Sequence, residues 1–259
     1  MTRPVALVTG ASVGIGEQFA RVLAERGHDL VLVARDRARL EALAKELGTE
    51  RGVQCEVIAA DLTDSRQLAT VEARVASVDV LVNNAGFGTT GRFHEIDLDA
   101  EDREIRLNVL ALVRLTHAAA SAMAGRGAGG ILNVASVAAF QPGPGNATYA
   151  ATKAYVLSFS EAVHEELRGS GVSVTCLCPG FTRTEFQRRA GFDESQVPGF
   201  MWQSADVVAR AGLDGLARSR AVVVPGALNK AAATATRLAP HGITRRAASL
   251  VIRRTSRDA

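Results

Sequence analysis

The chain has 259 residues, 47% of them hydrophobic and 22% charged, with a formal net charge of +3. That is apolar material enough for one large α/β core, and it excludes a disordered, fibrous or collagen-like chain. The three cysteines, Cys55, Cys176 and Cys178, are too few and odd in number for a disulfide framework, so a reducing, cytoplasmic setting is expected.

Met1-Thr2-Arg3-Pro4 leads straight into the strand-like Val5–Thr9, without the apolar region of a signal peptide, and no uninterrupted apolar run reaches membrane-spanning length. Further strands are expected at Leu30–Ala34, Glu56–Ala60, Val78–Asn83, Gly130–Ala135, Val172–Cys178 and Ala221–Pro225. Several are apolar throughout, as strands covered on both faces should be. Helical patterns fill the gaps: Ile15, Phe19, Val22 and Leu23 with Gly27 as a stop, Leu40, Leu43 and Leu47 closed by Gly48, and Leu68, Val71 and Val75. Strand–helix alternation implies a doubly wound, mostly parallel sheet. The alanine-rich Lys230–Thr236 reads as helix.

The first strand–helix junction is Thr9-Gly10-Ala11-Ser12-Val13-Gly14-Ile15-Gly16. Glycines there permit a tight turn and close approach of the backbone to a phosphate, and the helix N-terminus offers free N–H groups and positive potential. The spacing is G-x-x-x-G-x-G. Gly10 to Gly14 also match G-x-S-x-G, the nucleophile elbow of α/β-hydrolases, but that elbow needs earlier strands and only nine residues precede Gly10. The second strand ends in Arg35-Asp36. An arginine at that edge suits a 2′-phosphate, where a carboxylate would suit the ribose hydroxyls of NAD; Asp36, one residue later, can cap the next helix. Tyr149 and Lys153 stand at i and i+4, on one face of a helix. A phenol is a poor acid near neutrality, and an adjacent ammonium is expected to lower its pKa.

Taken together, Thr9–Gly16, Asp61-Leu62, Asn83-Asn84-Ala85-Gly86, Asn108, Ser136, Tyr149/Lys153 and Pro179-Gly180 resemble the classical short-chain dehydrogenase/reductases over about residues 4–226. More loosely, the chain resembles their NADPH-dependent ketoacyl and ketone reductases. The resemblance implies a Rossmann-type sheet in the order 3-2-1-4-5-6-7. It implies a catalytic set of Asn108, Ser136, Tyr149 and Lys153. Tyr149 would exchange the proton of the carbonyl or alcohol oxygen, and Lys153 would hold the nicotinamide ribose. Ser136 would bind the substrate oxygen, and Asn108 would anchor a water leading to Lys153. Cofactor contacts are implied for Gly10, Ser12, Gly14, Ile15, Gly16, Arg35, Asp61, Leu62, Asn83, Ala85, Gly86, Tyr149, Lys153, Pro179, Gly180, Thr182 and Thr184. Many NADPH-preferring relatives carry a basic residue just before the second glycine; here it is Val13, which leaves Arg35 as the main cofactor-selecting charge. NADP(H) is therefore favoured and NAD(H) stays possible.

Residues 1–227 are expected to form the dinucleotide-binding oxidoreductase domain, with a substrate lid at about 181–203, and residues 228–259 a basic helical extension. Five of the chain's aromatics fall in that lid: Phe181, Phe186, Phe192, Phe200 and Trp202. They favour a lipophilic carbonyl substrate, or else pack the lid onto the body. From Leu228 onward there are seven basic residues and one acid, so the body is mildly acidic and a nucleic-acid groove is not expected. A basic amphipathic tail can touch an anionic membrane, or pack on the body or a neighbour. Helices at about Asp102–Met123 and Ala147–Arg168 are those that relatives use to form dimers and tetramers, so a homo-oligomer is implied. The five histidines, His28, His94, His117, His164 and His241, show no ligand spacing, and no metal is called for. The reading is an NADP(H)-dependent oxidoreductase interconverting a ketone or aldehyde and an alcohol. Its alternatives are an NAD-dependent alcohol dehydrogenase and a non-catalytic dinucleotide sensor.

Overall fold

In the computed structural model, which describes residues 3–186 and 197–238, seven strands form one parallel sheet. They are β1 (Val5–Thr9), β2 (Asp29–Ala34), β3 (Cys55–Ala59), β4 (Val80–Asn83), β5 (Gly129–Val134), β6 (Val172–Leu177) and β7 (Val222–Val223). The order is β3-β2-β1-β4-β5-β6-β7, as expected for a Rossmann-type sheet. The chain reverses direction of travel between β1 and β4, which opens a crevice at the carboxyl ends of those strands; ligands of such sheets bind there.

The strands alternate with helices α1 (Gly14–Glu25), α2 (Arg37–Arg51), α3 (Ser65–Val75), α4 (Leu98–Ile105), α5 (Leu112–Arg126), α6 (Ala147–Glu166), α7 (Ala205–Ala217) and α8 (Ala227–Leu238). The period of two along each strand sorts the core into two layers. Ala6, Val8, Leu30, Leu32 and Leu132 meet Phe19 and Leu23 of α1, Leu40 and Leu43 of α2, and Val208 and Leu213 of α7. Leu7, Val31, Val33, Leu81 and Ile131 face the other way, onto Leu68 and Val71 of α3 and Leu115 and Met123 of α5. Cys176 and Cys178 are fully buried beside Val156 of α6, as a packing role requires, while Cys55 is half-buried.

Strand ends fall within two residues of expectation, and two helix boundaries differ in ways that have a physical reason. Gly48 does not stop α2; the helix runs to Arg51 and ends on Gly52, whose φ of +64° is the left-handed cap that glycine adopts without a Cβ penalty. The helix expected from Asp102 starts earlier, at Leu98, and passes through a π-helical turn at Arg106–Ala111 before α5. Such turns break the regular hydrogen-bond ladder and recur at functional sites. Leu98–Arg126 is long and apolar enough to cross a membrane by length and composition, yet Leu115, Ala119 and Met123 lie in the core. Lys230–Thr236 is helical, inside α8, and residues 239–259, with the rest of the basic tail and His241, lie outside the described residues.

Candidate active site

The junction of β1 and α1 uses its glycines for different reasons. Gly10 and Gly14 have φ of +67° and +63°, in the left-handed region. Gly16 needs space instead: a Cβ there would lie 2.0 Å from the carbonyl oxygen of Gly10. The loop is braced from below by Thr9, whose hydroxyl accepts from the N–H groups of Asn84 and Ala85, both at 3.0 Å. Asn84 Nδ2 donates to Thr9 O at 3.0 Å. At the helix start, Val13 is the N-cap and supplies no side-chain acceptor, so first-turn amides face the crevice without a side-chain cap. Ser12 and Ile15 are half-buried on the same turn.

A dinucleotide pyrophosphate fits this cradle, because the uncapped helix N-terminus supplies donors and the glycines leave no Cβ in the way. Arg35 is exposed at the end of β2 and makes no ion pair among the described residues, so its guanidinium is available to a phosphate. Asp36 does cap α2, accepting from the Arg39 N–H at 3.1 Å. Asp61 accepts from the N–H and hydroxyl of Thr63, and Leu62 is buried, together forming the wall beyond β3.

Asn83 turns away from the crevice. Its Nδ2 donates to Asn133 Oδ1 at 2.9 Å and Thr116 Oγ1 at 3.0 Å, and Asn133 Nδ2 donates to Ser160 Oγ at 3.0 Å. These buried polar groups pin β4, β5, α5 and α6 together, so contact of Asn83 with a cofactor falls to its main chain. Ala85 and Gly86 continue at the crevice; a Cβ on Gly86 would meet Asn108 Oδ1 at 2.9 Å and Lys153 Nζ at 3.5 Å.

Asn108, Ser136, Tyr149 and Lys153 come together at the carboxyl ends of β4 and β5. Ser136 follows β5, and its hydroxyl hydrogen-bonds with the Tyr149 phenol and accepts from the Ala138 N–H at 3.1 Å. Lys153, one turn after Tyr149 on α6, is 5% exposed and donates to Val134 O at 2.9 Å. Its Nζ stands 5.7 Å from the centre of the Tyr149 ring. Asn108 sits on the π-helical turn, where Nδ2 donates to Phe87 O at 2.8 Å and to Thr152 Oγ1 at 3.1 Å, and Oδ1 accepts from Phe87 N–H at 3.1 Å.

The electrostatics run opposite to the expectation that Lys153 lowers the phenol pKa. Burial pushes Tyr149 up to about 12; the bond to Ser136 pulls it down by less, and the Glu104 carboxylate adds to the rise. Burial in turn brings Lys153 down to about 8. The physical reason is that desolvation disfavours both charged forms here. Tyr149 is therefore a neutral, proton-bearing phenol near neutral pH.

Beyond β6, Val137 N–H bonds to Pro179 O, and Thr182 is buried with its hydroxyl on Gly180 O at 3.0 Å. Gly180 is closely approached by Asn229 of α8; a Cβ would lie 2.3 Å from Asn229 Nδ2. The Thr184 methyl lies 3.0 Å from where a Gly14 Cβ would be, closing the crevice opposite the glycine loop. A cleft of about 450 Å³ beside this contact is lined by Gly14, Glu17, Gln18, Arg183 and Thr184. The lid aromatics divide: Phe181 packs on Trp202 with centroids 5.7 Å apart, whereas Phe186 sits 5.7 Å from Tyr149, and Phe200 is exposed. Phe192 lies outside the described residues. Among the described residues no three His, Cys, Asp or Glu side chains gather as a metal site.

Several neighbours of this centre were not legible as such. Glu101 and Glu104 of α4 are 4% and 0% exposed and bind Thr89, in the loop after β4. The sequence alone did not single them out; their spacing of one and two turns before Asn108 was the available signal. Asn229 belongs to the helix that opens the tail and gave none.

Fold and site define a dinucleotide-binding oxidoreductase of the Rossmann type. The family model for the short chain dehydrogenases matches residues 4–195. A short-chain dehydrogenase from Sphingobium yanoikuyae, solved in complex with NADPH, superposes with a TM-score of 0.82 at 40% identity, covering 92% of this chain and 96% of that one. The bulky-bulky ketone specific alcohol dehydrogenase from Comamonas testosteroni gives 0.79 at 36% identity, over 93% and 96%. The oxidoreductase UcpA of Salmonella typhimurium is 38% identical over 194 residues, 71% of each chain. The chain belongs to the short-chain dehydrogenase/reductase family, the NAD(P)-dependent oxidoreductases of CH–OH and C=O groups.

Proposed function

We propose that the protein is an NADP(H)-dependent reductase that interconverts a ketone or aldehyde and an alcohol, with Tyr149 as the proton donor and acceptor and a lipophilic substrate. The observation that carries this reading is the juxtaposition of the Tyr149 phenol, hydrogen-bonded with Ser136, with the buried Lys153 ammonium 5.7 Å from its ring centre. Ser136 and Tyr149 together offer two hydroxyls to one carbonyl oxygen. When bound, the nicotinamide supplies or accepts a hydride at the carbonyl carbon. Tyr149 passes its proton to that oxygen as negative charge develops there, which a phenol does as a general acid. Lys153, Pro179, Gly180, Thr182 and Thr184 would hold the nicotinamide half, and the glycine loop the pyrophosphate. Asp61 and Leu62 would hold the adenine, and Arg35 a 2′-phosphate.

Phe186 beside Tyr149 supports an apolar substrate, and the ketone alcohol dehydrogenase and the NADPH complex among the neighbours support the substrate class and the cofactor. The exposed Ile105, Leu110 and Tyr155 on α4–α6 support a homo-oligomer built on those helices, and the basic residues after Leu228 a peripheral membrane contact as the lesser alternative to packing.

The test is absorbance at the reduced-nicotinamide band with NADPH and NADH against ketones from short and polar to long and apolar, repeated with Tyr149→Phe. NADPH consumption with apolar ketones that collapses by about 10²–10⁴-fold in the variant, with cofactor binding intact, is expected. Turnover retained by Tyr149→Phe sinks the mechanism, and binding without turnover across the panel favours a dinucleotide sensor.

A further inference from the structure

Two buried carboxyl groups stand directly behind the catalytic centre, and hydrogen counting limits how they can be charged. The Thr89 hydroxyl has one hydrogen and touches both acids: Glu104 Oε2 at 2.8 Å and Glu101 Oε1. It can donate to one of them, so the other contact needs a proton from the carboxyl itself. The remaining partners supply no substitute. Thr148, the residue before Tyr149, spends its own hydroxyl hydrogen on the second oxygen of Glu101. The Thr89 N–H donates to Glu104 Oε2 at 2.8 Å, and Asn108 Nδ2 approaches Glu104 Oε1 at 3.5 Å. With one carboxyl protonated, the contacts around Thr89 form a consistent chain of donors and acceptors.

The surroundings agree with that count. Glu101 and Glu104 project from the same face of α4 into the loop after β4 and the start of α6. The titratable groups facing them there are Tyr149 and Lys153 of α6; Glu104 acts electrostatically on both. The nearby arginines point elsewhere: Arg103 of α4 and Arg106 of the π-helical turn are more than half exposed and pair with Asp97 and Asp102. Two like charges held in one dry site cannot both ionise cheaply. Burial pushes the Glu104 carboxyl up further than the two Thr89 hydrogen bonds pull it down, and the charge of Glu101 adds to the rise.

We propose that Glu101 and Glu104 act as one positioning acid, a pair that holds a single proton and a single negative charge across Thr89, and that this charge sets the pH range over which Tyr149 exchanges its proton. The same contacts tie the loop after β4 to Asn108 and to the residue preceding Tyr149, so the pair also keeps the proton partner and the cofactor wall in register. The inference rests on the reading of Tyr149 as proton partner only for its kinetic consequence; the shared proton stands or falls by itself.

Two readouts test it. In the infrared spectrum at neutral pH, the wild type should show the C=O stretch of a buried protonated carboxyl. Glu101→Gln and Glu104→Gln should each lose that band, because glutamine then supplies the donor and the remaining acid ionises. The pH midpoint of kcat/KM for alcohol oxidation should stay in place in either single variant, since each keeps one negative charge. It should fall by about one pH unit in the double variant, where the charge is gone and phenolate forms more readily. A wild type without the band, or single variants whose shifts add up to that of the double, would overturn the single-proton pair. If no turnover is found with any substrate, the infrared comparison still decides the pair, and the failure belongs to the catalytic reading. If the double variant does not fold, the band in the single variants still carries the test.

Discussion

Replacing Lys153 by methionine should abolish turnover and yet make the cofactor-free protein more stable at neutral pH. The lysine is 5% exposed, and burial brings its pKa from the ordinary 10.5 down to about 8. Each pH unit of such a displacement corresponds to ~1.4 kcal/mol, so below pH 8 the ammonium costs the fold about 3 kcal/mol. Methionine removes that cost and fills similar space, but it leaves Val134 O without its donor, which takes back about 1 kcal/mol. The balance is a gain of about 2 kcal/mol, or roughly 5 °C in melting temperature for a chain of this size. The sign depends on pH. Below pH 8 the lysine is charged in both states and the wild type bears the whole cost. Between pH 8 and 10.5 the folded lysine is already neutral while the unfolded one still holds its proton, so the wild type gains stability as the pH rises and the advantage of the variant disappears. Thermal melts of both proteins at pH 7 and pH 10, without cofactor, measure this directly. A variant less stable than the wild type at pH 7, or a difference that does not change with pH, would refute the claim that Lys153 is a desolvated cation held in place for function.

Gly16→Ala should be far more damaging than an ordinary glycine-to-alanine change within a helix, because its Cβ would overlap the Gly10 carbonyl. A loss of stability of at least about 2 kcal/mol is expected, together with loss of dinucleotide binding, measured by denaturant unfolding and by cofactor fluorescence titration. Arg35→Ala should weaken NADPH by roughly tenfold or more and leave NADH nearly unchanged, since a charge-assisted bond to a phosphate is worth about 1.5–3 kcal/mol. Equal losses for the two cofactors would remove Arg35 from the 2′-phosphate.

The strands, the helices and the glycine turn were legible because they follow from local rules, whereas the order of the strands and the assembly of the site were implied by the family resemblance. The short, unbroken apolar run Leu30–Val33, the 3.6 period in Phe19, Val22 and Leu23, and glycines at a strand-to-helix turn each record a conformation that neighbouring residues impose on one another. The i, i+4 spacing put Tyr149 and Lys153 on one helix face before any contact was known. What the tertiary structure alone decided is how solvent and charge are distributed. Spacing suggested that Lys153 would make Tyr149 more acidic; burial of both in the folded chain raises the phenol and lowers the amine instead. Asn83 belongs by motif to the cofactor wall, but register with Asn133 on the next strand turns its side chain into the core. The sequence alone did not single out Glu101 and Glu104, and only the folding of the loop carrying Thr89 over α4 makes them a buried pair. Backbone geometry is written in adjacent residues, whereas desolvation depends on whatever distant segments come to lie on top.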